Sequence, residues 1–196
     1  INFLRSLHPK LIIAATGADW SGTAAYPKAG VAVMAVKANH KGKLKQLVLV
    51  PHLAVGLTHT TPHWRSITIS VYLPATRHSE VLRKLTSAIH KAGKFDELTI
   101  CGDFNYPGMS IKDKNVWTTF TAEHGLGALL PDDQHTFVSA KASAHLDNIL
   151  ISSSAARAGA LSSKITLHDA QKRLKTKHLI ILAKITATKP AAASGY

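Results

Sequence analysis

Short apolar runs separated by polar, glycine- or proline-bearing breaks dominate this chain, and two stretches replace that rhythm with a helical one. Leu11-Ile12-Ile13-Ala14-Ala15 reads as a buried strand running into a loop over residues 16–28, which carries Gly17, Gly22 and Pro27. Apolar runs at 31–36 and 47–50 flank a polar turn at 37–45, a pattern that predicts a hairpin. A further strand is expected over 66–73, closed by Pro74. Between Ser79 and Ala92 the apolar positions Val81, Leu82, Leu85 and Ile89 fall on one helical face, with Ser79 placed to cap the start and Gly93 to end it. A second helix is expected over 116–123, with Trp117 and Phe120 on one face and Gly125 as its stop. Residues 3–7 read as the end of a short helix, and 136–138, 146–152, 164–167 and 179–185 as later strands. Strands alternating with two helices suit an α/β chain built in layers. Residues 1–189 read as a single domain, since no repeat or long linker divides them, and alanine-rich 190–196 as a flexible tail.

Composition adds a partner class to that outline. The 196 residues hold 24 Lys and Arg against 11 Asp and Glu, a formal charge of +13 with twelve His neutral. A polyanion is therefore the first partner to consider, because lysines that neutralise phosphates release counterions and gain affinity without reading sequence. The basic residues fall in clusters at 37–45, 83–94, 112–114 and 164–177, with too few aromatics between them for a single-strand stacking platform. They suit tracking the backbone of a folded or duplex nucleic acid, RNA ahead of DNA. Cys101 is the lone cysteine, which excludes an intramolecular disulfide and points to a reducing compartment, the mitochondrion or nucleus. No apolar run reaches the length of a membrane helix, so no membrane partner is expected. The sequence starts at Ile1 without Met, and a removed targeting peptide or the rest of a longer polypeptide is expected before it.

Candidate chemistry concentrates in Leu98-Thr99-Ile100-Cys101-Gly102-Asp103-Phe104-Asn105, where an apolar strand ends in a glycine turn that presents an aspartate beside an asparagine. Three other segments accompany it: Ile67-Thr68-Ile69-Ser70-Val71-Tyr72-Leu73-Pro74, Leu146-Asp147-Asn148-Ile149-Leu150-Ile151-Ser152 and Thr176-Lys177-His178. In that order and at those separations they resemble the endonuclease/exonuclease/phosphatase superfamily, relatives of deoxyribonuclease I. The strand wording is most similar to the endonuclease domains of non-long-terminal-repeat retrotransposons. The resemblance implies a two-layered β-sandwich flanked by helices and the hydrolysis of a phosphate ester by in-line water attack with a divalent metal, usually magnesium. It implies that Asp103 orients or deprotonates the water, that Asn105 and His178 hold the phosphate, that Asp147 hydrogen-bonds His178, and that Tyr72 contacts the phosphate from the neighbouring strand.

The departures from that pattern lie on the metal side. The family's second strand ends in a metal-binding glutamate, whereas Leu11–Ala15 is followed here by Thr16 and Gly17, with no carboxylate before Asp19, the one weak candidate for a metal ligand. The family's first strand would lie before Ile1. Lys177 replaces the aspartate that ordinarily precedes the histidine, and a lysine there can take over part of the metal's charge and grip phosphate but cannot lower the pKa of a bound water as a metal does. The expectation is a catalytically degenerate nuclease-like domain that binds nucleic-acid phosphates, as a part of a large RNA-protein assembly such as an organellar ribosome, with no cofactor. The alternatives are an active magnesium-dependent endonuclease and, behind it, a phosphatase for a lipid or small phosphate ester. His59, His63 and Trp64 are read as turn residues that form no metal site, since Pro62 breaks any helix that could align the two rings. Asp132 and Asp133 read as a solvated loop, and no Walker-type loop or dinucleotide fingerprint is present.

Overall fold

The computed structural model describes residues 11–16, 31–36, 42–152, 161–168 and 177–187. Along the chain these form β1 (Leu11–Thr16), β2 (Val31–Val36), β3 (Lys43–Val50), β4 (Ala54–Thr60), β5 (Arg65–Tyr72), α1 (His78–Ala92), β6 (Glu97–Asp103), α2 (Ile111–Glu123), β7 (Leu126–Ala128), β8 (Phe137–Val138), β9 (Ser143–Ala144), β10 (Asp147–Ser152), β11 (Leu161–His168) and β12 (Ile180–Ala187). Six strands make the central sheet in the order β3-β4-β5-β6-β10-β7. All its pairings are antiparallel except β5 with β6, which are parallel and joined through α1. β1 pairs with β2, β8 with β9, and β11 with β12, each antiparallel.

Alternation along β5 explains how the layers form. Ile67, Ile69 and Val71 are buried on the face that meets Val81, Leu82, Leu85 and Ile89 of α1, together with Leu98 and Ile100 of β6 and Phe120 of α2. Each such side chain contributes roughly 1.5–3 kcal/mol on burial, so this face supplies most of the core. On the opposite face of the sheet Val55 and Leu57 of β4 pack against Ala14 and Val33 of β1 and β2. Helices, the central sheet and the β1–β2 pair are thus three successive layers, in keeping with the helix-flanked β-sandwich that the resemblance implies. Among the described residues no helix is long and apolar enough to cross a membrane.

Several local expectations are corrected. The hairpin expected between 31–36 and 47–50 is absent: β2 pairs with β1, while β3 turns at Pro51-His52-Leu53 into β4. β4 has no counterpart among the expected strands, and His59, expected in a turn, lies in that strand opposite Leu44. Ser79 does not cap α1, whose N-cap Arg77 makes no side-chain capping bond. The Ser79 hydroxyl and amide are both bonded to Asp113 Oδ1 instead. α2 begins at Ile111, ahead of the expected 116, because Ser110 accepts the Asp113 amide at 3.1 Å and donates to the Asp113 carboxylate at 2.6 Å, a reciprocal cap. The expected helix end at 3–7, most of the 16–28 loop and the 190–196 tail lie outside the described residues.

Candidate phosphate-ester site at the ends of three strands

Strand register assembles the site. Tyr72 is the parallel partner of Asp103, and Asp147 is its antiparallel partner, so three side chains from β5, β6 and β10 stand in one row at one level of the sheet. Side chains alternate along a strand, so the row faces away from Ile100 and the helices. The close approach requires Gly102: its φ is +150°, and a Cβ there would lie 1.8 Å from the Val71 carbonyl oxygen. Past the strand ends the ladder continues, with the Leu73 amide bonded to the Asp103 carbonyl and the Phe104 amide to the Leu146 carbonyl, both at 2.8 Å.

The turn after Asp103 is held from two sides. Asn105 adopts a left-handed conformation (φ 47°) that asparagine tolerates, its amide donates to Asp103 Oδ1 at 3.0 Å, and its side-chain nitrogen donates to the Leu73 carbonyl at 2.9 Å. Phe104 is buried edge-on to Trp117 of α2, with ring centroids 5.2 Å apart, and Tyr106 lies 5.8 Å from the same indole. An aromatic contact thereby fixes the carboxylate and the carboxamide relative to the helix layer.

His178 enters from outside the central sheet, through a bridge with Phe137 and a 2.7 Å bond from the Leu179 amide to the Thr136 carbonyl. Its Nδ1 donates to Asp147 Oδ2 at 2.8 Å. The same oxygen accepts the hydroxyl of Thr136 at 2.9 Å, and that hydroxyl accepts the amides of Leu146 and Asp147. Fully buried Thr136 is the site residue that sequence reasoning missed. No local pattern marks it, because its role arises from bonds to β10 and to the segment bearing His178.

The electrostatics follow from this packing. Burial, then the neighbouring Asp147, pushes the Asp103 carboxyl up to about 6, against the opposing pull of the Asn105 amide and His178. The hydrogen bond to Asp147 raises His178, assisted by the charges of Asp147 and Asp103 and resisted by burial. Tyr72 is raised by burial and by Asp103. Cys101, two residues before Asp103 on β6, is raised by burial and donates its thiol to the Ile69 carbonyl, which makes it a poor nucleophile. Ligand-type atoms of Asp103, Asp147 and His178 lie within 4.8 Å of one another, Tyr72 is the register partner of Asp103, and the Asn105 amide bonds to the Asp103 carboxylate.

A magnesium ion takes six oxygens in near-octahedral array, commonly one or two carboxylates with waters and phosphate; among the described residues the carboxylates here are Asp103 and Asp147, one oxygen of the latter already committed to Thr136 and His178. At the facing strand, β1 ends in Thr16, whose hydroxyl accepts the His52 amide at 2.8 Å. His52 adjoins Leu53, whose carbonyl takes the Tyr72 amide, so Thr16 lies at the site end of the sandwich without offering a carboxylate. Asp19 lies outside the described residues, and Lys177 is an exposed neighbour of His178 whose carbonyl accepts the Val138 amide.

No protein-family model matches the sequence, and no curated protein matches it. Solved structures do. The endonuclease domain of TRAS1, a telomere-specific non-LTR retrotransposon, superposes with a TM-score of 0.62 at 16% identity, over 92% of this chain and 82% of that one. An endonuclease/exonuclease/phosphatase family protein from Leptotrichia buccalis gives 0.61 at 17% identity, over 94% and 74%. The human Nocturnin catalytic domain, solved with a bound sulfate anion, gives 0.61 at 16%, over 95% and 75%. At these identities the likeness establishes architecture: the chain has the deoxyribonuclease I-like fold of the endonuclease/exonuclease/phosphatase proteins.

Proposed function

We propose that this chain is a nuclease-like domain that grips nucleic-acid phosphates and cuts them slowly or not at all. The observation that carries the reading is the division of the site. In the half that would hold a phosphate, Tyr72 and Asp147 stand on strands either side of Asp103, Asn105 is held in the turn that follows it, and His178 is brought in by its hydrogen bond to Asp147. The half that would hold a metal ends in Thr16, whose hydroxyl is engaged by the His52 amide. With Nδ1 committed to Asp147, the phosphate contact of His178 falls to Nε2, and the imidazolium form favoured by Asp147 is the form that attracts an anion.

Surface charge supports a polyanion at this end of the molecule. Lys114 lies 5.7 Å from the ring centre of Tyr106, three residues beyond Asp103, and Lys112, Lys141 and Lys177 are exposed on segments that adjoin the site. Lys91 and Lys94 are exposed at the C-terminal end of α1, which leads to the start of β6, so that cluster serves the far end of the sheet. A large RNA-protein assembly, with RNA ahead of DNA, suits a basic binder of this kind. The second reading, an active divalent-metal endonuclease, draws on Asp103, whose raised carboxyl has the character of a base that works near neutral pH.

The test is cleavage of labelled supercoiled plasmid and of a structured RNA in excess magnesium or manganese at low salt, with binding measured in parallel in chelator at pH 6 and pH 8. The proposal expects no cutting, salt-sensitive binding that survives chelation, and weaker binding in His178→Ala. Metal-dependent cutting abolished by both Asp103→Ala and His178→Ala would overturn it and establish the endonuclease.

A further inference from the structure

We infer that His90, Glu123 and His124 form a second, separate site, one for a zinc-type transition-metal ion that ties together the C-terminal ends of α1 and α2. His90 lies in the last turn of α1, Glu123 is the last residue of α2, and His124 is its C-cap. Their ligand-type atoms all lie within 4.8 Å of one another. His90 Nε2 is 2.9 Å from Glu123 Oε1, and the two imidazole rings meet edge to face at 5.6 Å.

The backbone holds the three in place. The His124 amide bonds to the carbonyls of Phe120 and Ala122, and Gly125, in the left-handed region at φ 58°, closes the helix behind it. The His124 ring packs edge-on to buried Phe120, with centroids 5.0 Å apart. Its Nε2 is buried and has no hydrogen-bond partner among the described residues, a state that costs free energy unless a ligand completes it. The 2.9 Å contact between His90 and Glu123 joins that pair without metal; it does nothing for the third ligand.

Chemistry and position both select the ion. Two imidazole nitrogens with one carboxylate suit zinc and its neighbours in the first transition row, and disfavour magnesium and calcium, which need oxygen. Both helices end here, so their C-terminal carbonyls contribute partial negative charge that favours a cation. A groove of about 570 Å³ between the helices is lined by His90 and Glu123, which gives an ion an entry path, and three protein ligands leave a coordination position for water or a further donor. The cluster shares no residue with the row at Asp103.

The experiment is titration of the metal-stripped full chain with zinc by calorimetry, and with cobalt by visible absorption, in wild type, His90→Gln, Glu123→Gln, His124→Gln and His178→Gln. The expected result is one zinc per chain and the strong visible bands of four-coordinate cobalt. Affinity should fall at least about 100-fold in each of the first three variants, the upper end of what losing even an outer partner costs, and stay unchanged in His178→Gln. Circular dichroism reports whether His124→Gln folds, and the exposed positions 90 and 123 carry the test if it does not. Zinc affinity equal in wild type, His90→Gln and Glu123→Gln, or no four-coordinate cobalt spectrum, overturns the site.

Discussion

Replacing the carboxylate at the centre of the row should make the protein more stable, and only where that carboxylate would be charged. Asp103 rises from an ordinary 3.8 to about 6, and at about 1.4 kcal/mol per pH unit this amounts to roughly 3 kcal/mol. The residue is half-buried, so solvent screening reduces the figure to about 1–2 kcal/mol. The sign follows from the direction. A carboxyl raised on folding binds protons more tightly folded than unfolded, so ionising it costs stability that is intact below about pH 4, declines between about 4 and 6, and is fully lost above about 6. Asp103→Asn removes the charge and keeps an oxygen to accept the Asn105 amide. Urea unfolding of both proteins, followed by tryptophan fluorescence, should show the variant more stable by about 1–2 kcal/mol at pH 8 and nearly equal at pH 4. A variant less stable at pH 8, or a difference that does not change with pH, would refute the electrostatic account of the row. The gain would carry a functional cost, as stabilising changes in active sites commonly do.

His178 should titrate above its ordinary 6.5 in an NMR pH series, and Asp147→Asn should bring it down, since the hydrogen bond to Asp147 is the largest cause of the rise; a wild-type value at or below 6.5 would contradict this. Its stabilising contribution is fully present below 6.5 and is lost as pH rises through the folded value. Thr136→Val leaves the amides of Leu146 and Asp147 without their acceptor and should destabilise by about 2 kcal/mol or more, while Thr136→Ser, which keeps the hydroxyl, should recover most of it in the same urea assay. Gly102→Ala drives a Cβ into the Val71 carbonyl and should cost about 3 kcal/mol or more, read as a fall in the unfolding midpoint with loss of phosphate binding; a fully stable variant would contradict the close approach of β5 and β6.

What could be read in the sequence was local, and what could not was pairing. The spacing of Val81, Leu82, Leu85 and Ile89 announces α1 because a helix satisfies its own backbone and shows its buried face in its own residues. β4 was invisible because Gly56 and the polar Thr58-His59-Thr60 interrupt it, and only its place between β3 and β5 makes Val55 and Leu57 core residues of a second layer. The same limit produced the false hairpin: β2 and β3 are both apolar, and nothing within either run says that β2 belongs with β1. Asp103, Asn105, Asp147, His178 and Tyr72 could be singled out because the four segments that carry them resemble one family in order and separation, and the structure brings them to one end of the sheet. Thr136 was not, since a threonine before a two-residue strand looks the same whether or not a distant carboxylate uses its hydroxyl.

Charge at the row bears on both readings of the function. With both aspartates ionised and His178 protonated, the group carries a net negative charge, and an arriving phosphodiester adds another beside Asp103. Binding must therefore bring in a proton or a cation. A proton is available near neutral pH because Asp103 lies at about 6 and a neighbouring phosphate pushes it higher. A domain that only grips phosphate should for that reason bind more tightly at pH 6 than at pH 8, with His178 acting in the same direction. An endonuclease that recruits a divalent ion needs Asp103 ionised, because a metal competes with the proton for the same oxygens, and its metal-supported binding should strengthen from pH 6 to pH 8. The two readings share every residue of the row and differ in the charge that accompanies the phosphate, so the sign of the pH dependence, measured with and without chelator, separates them.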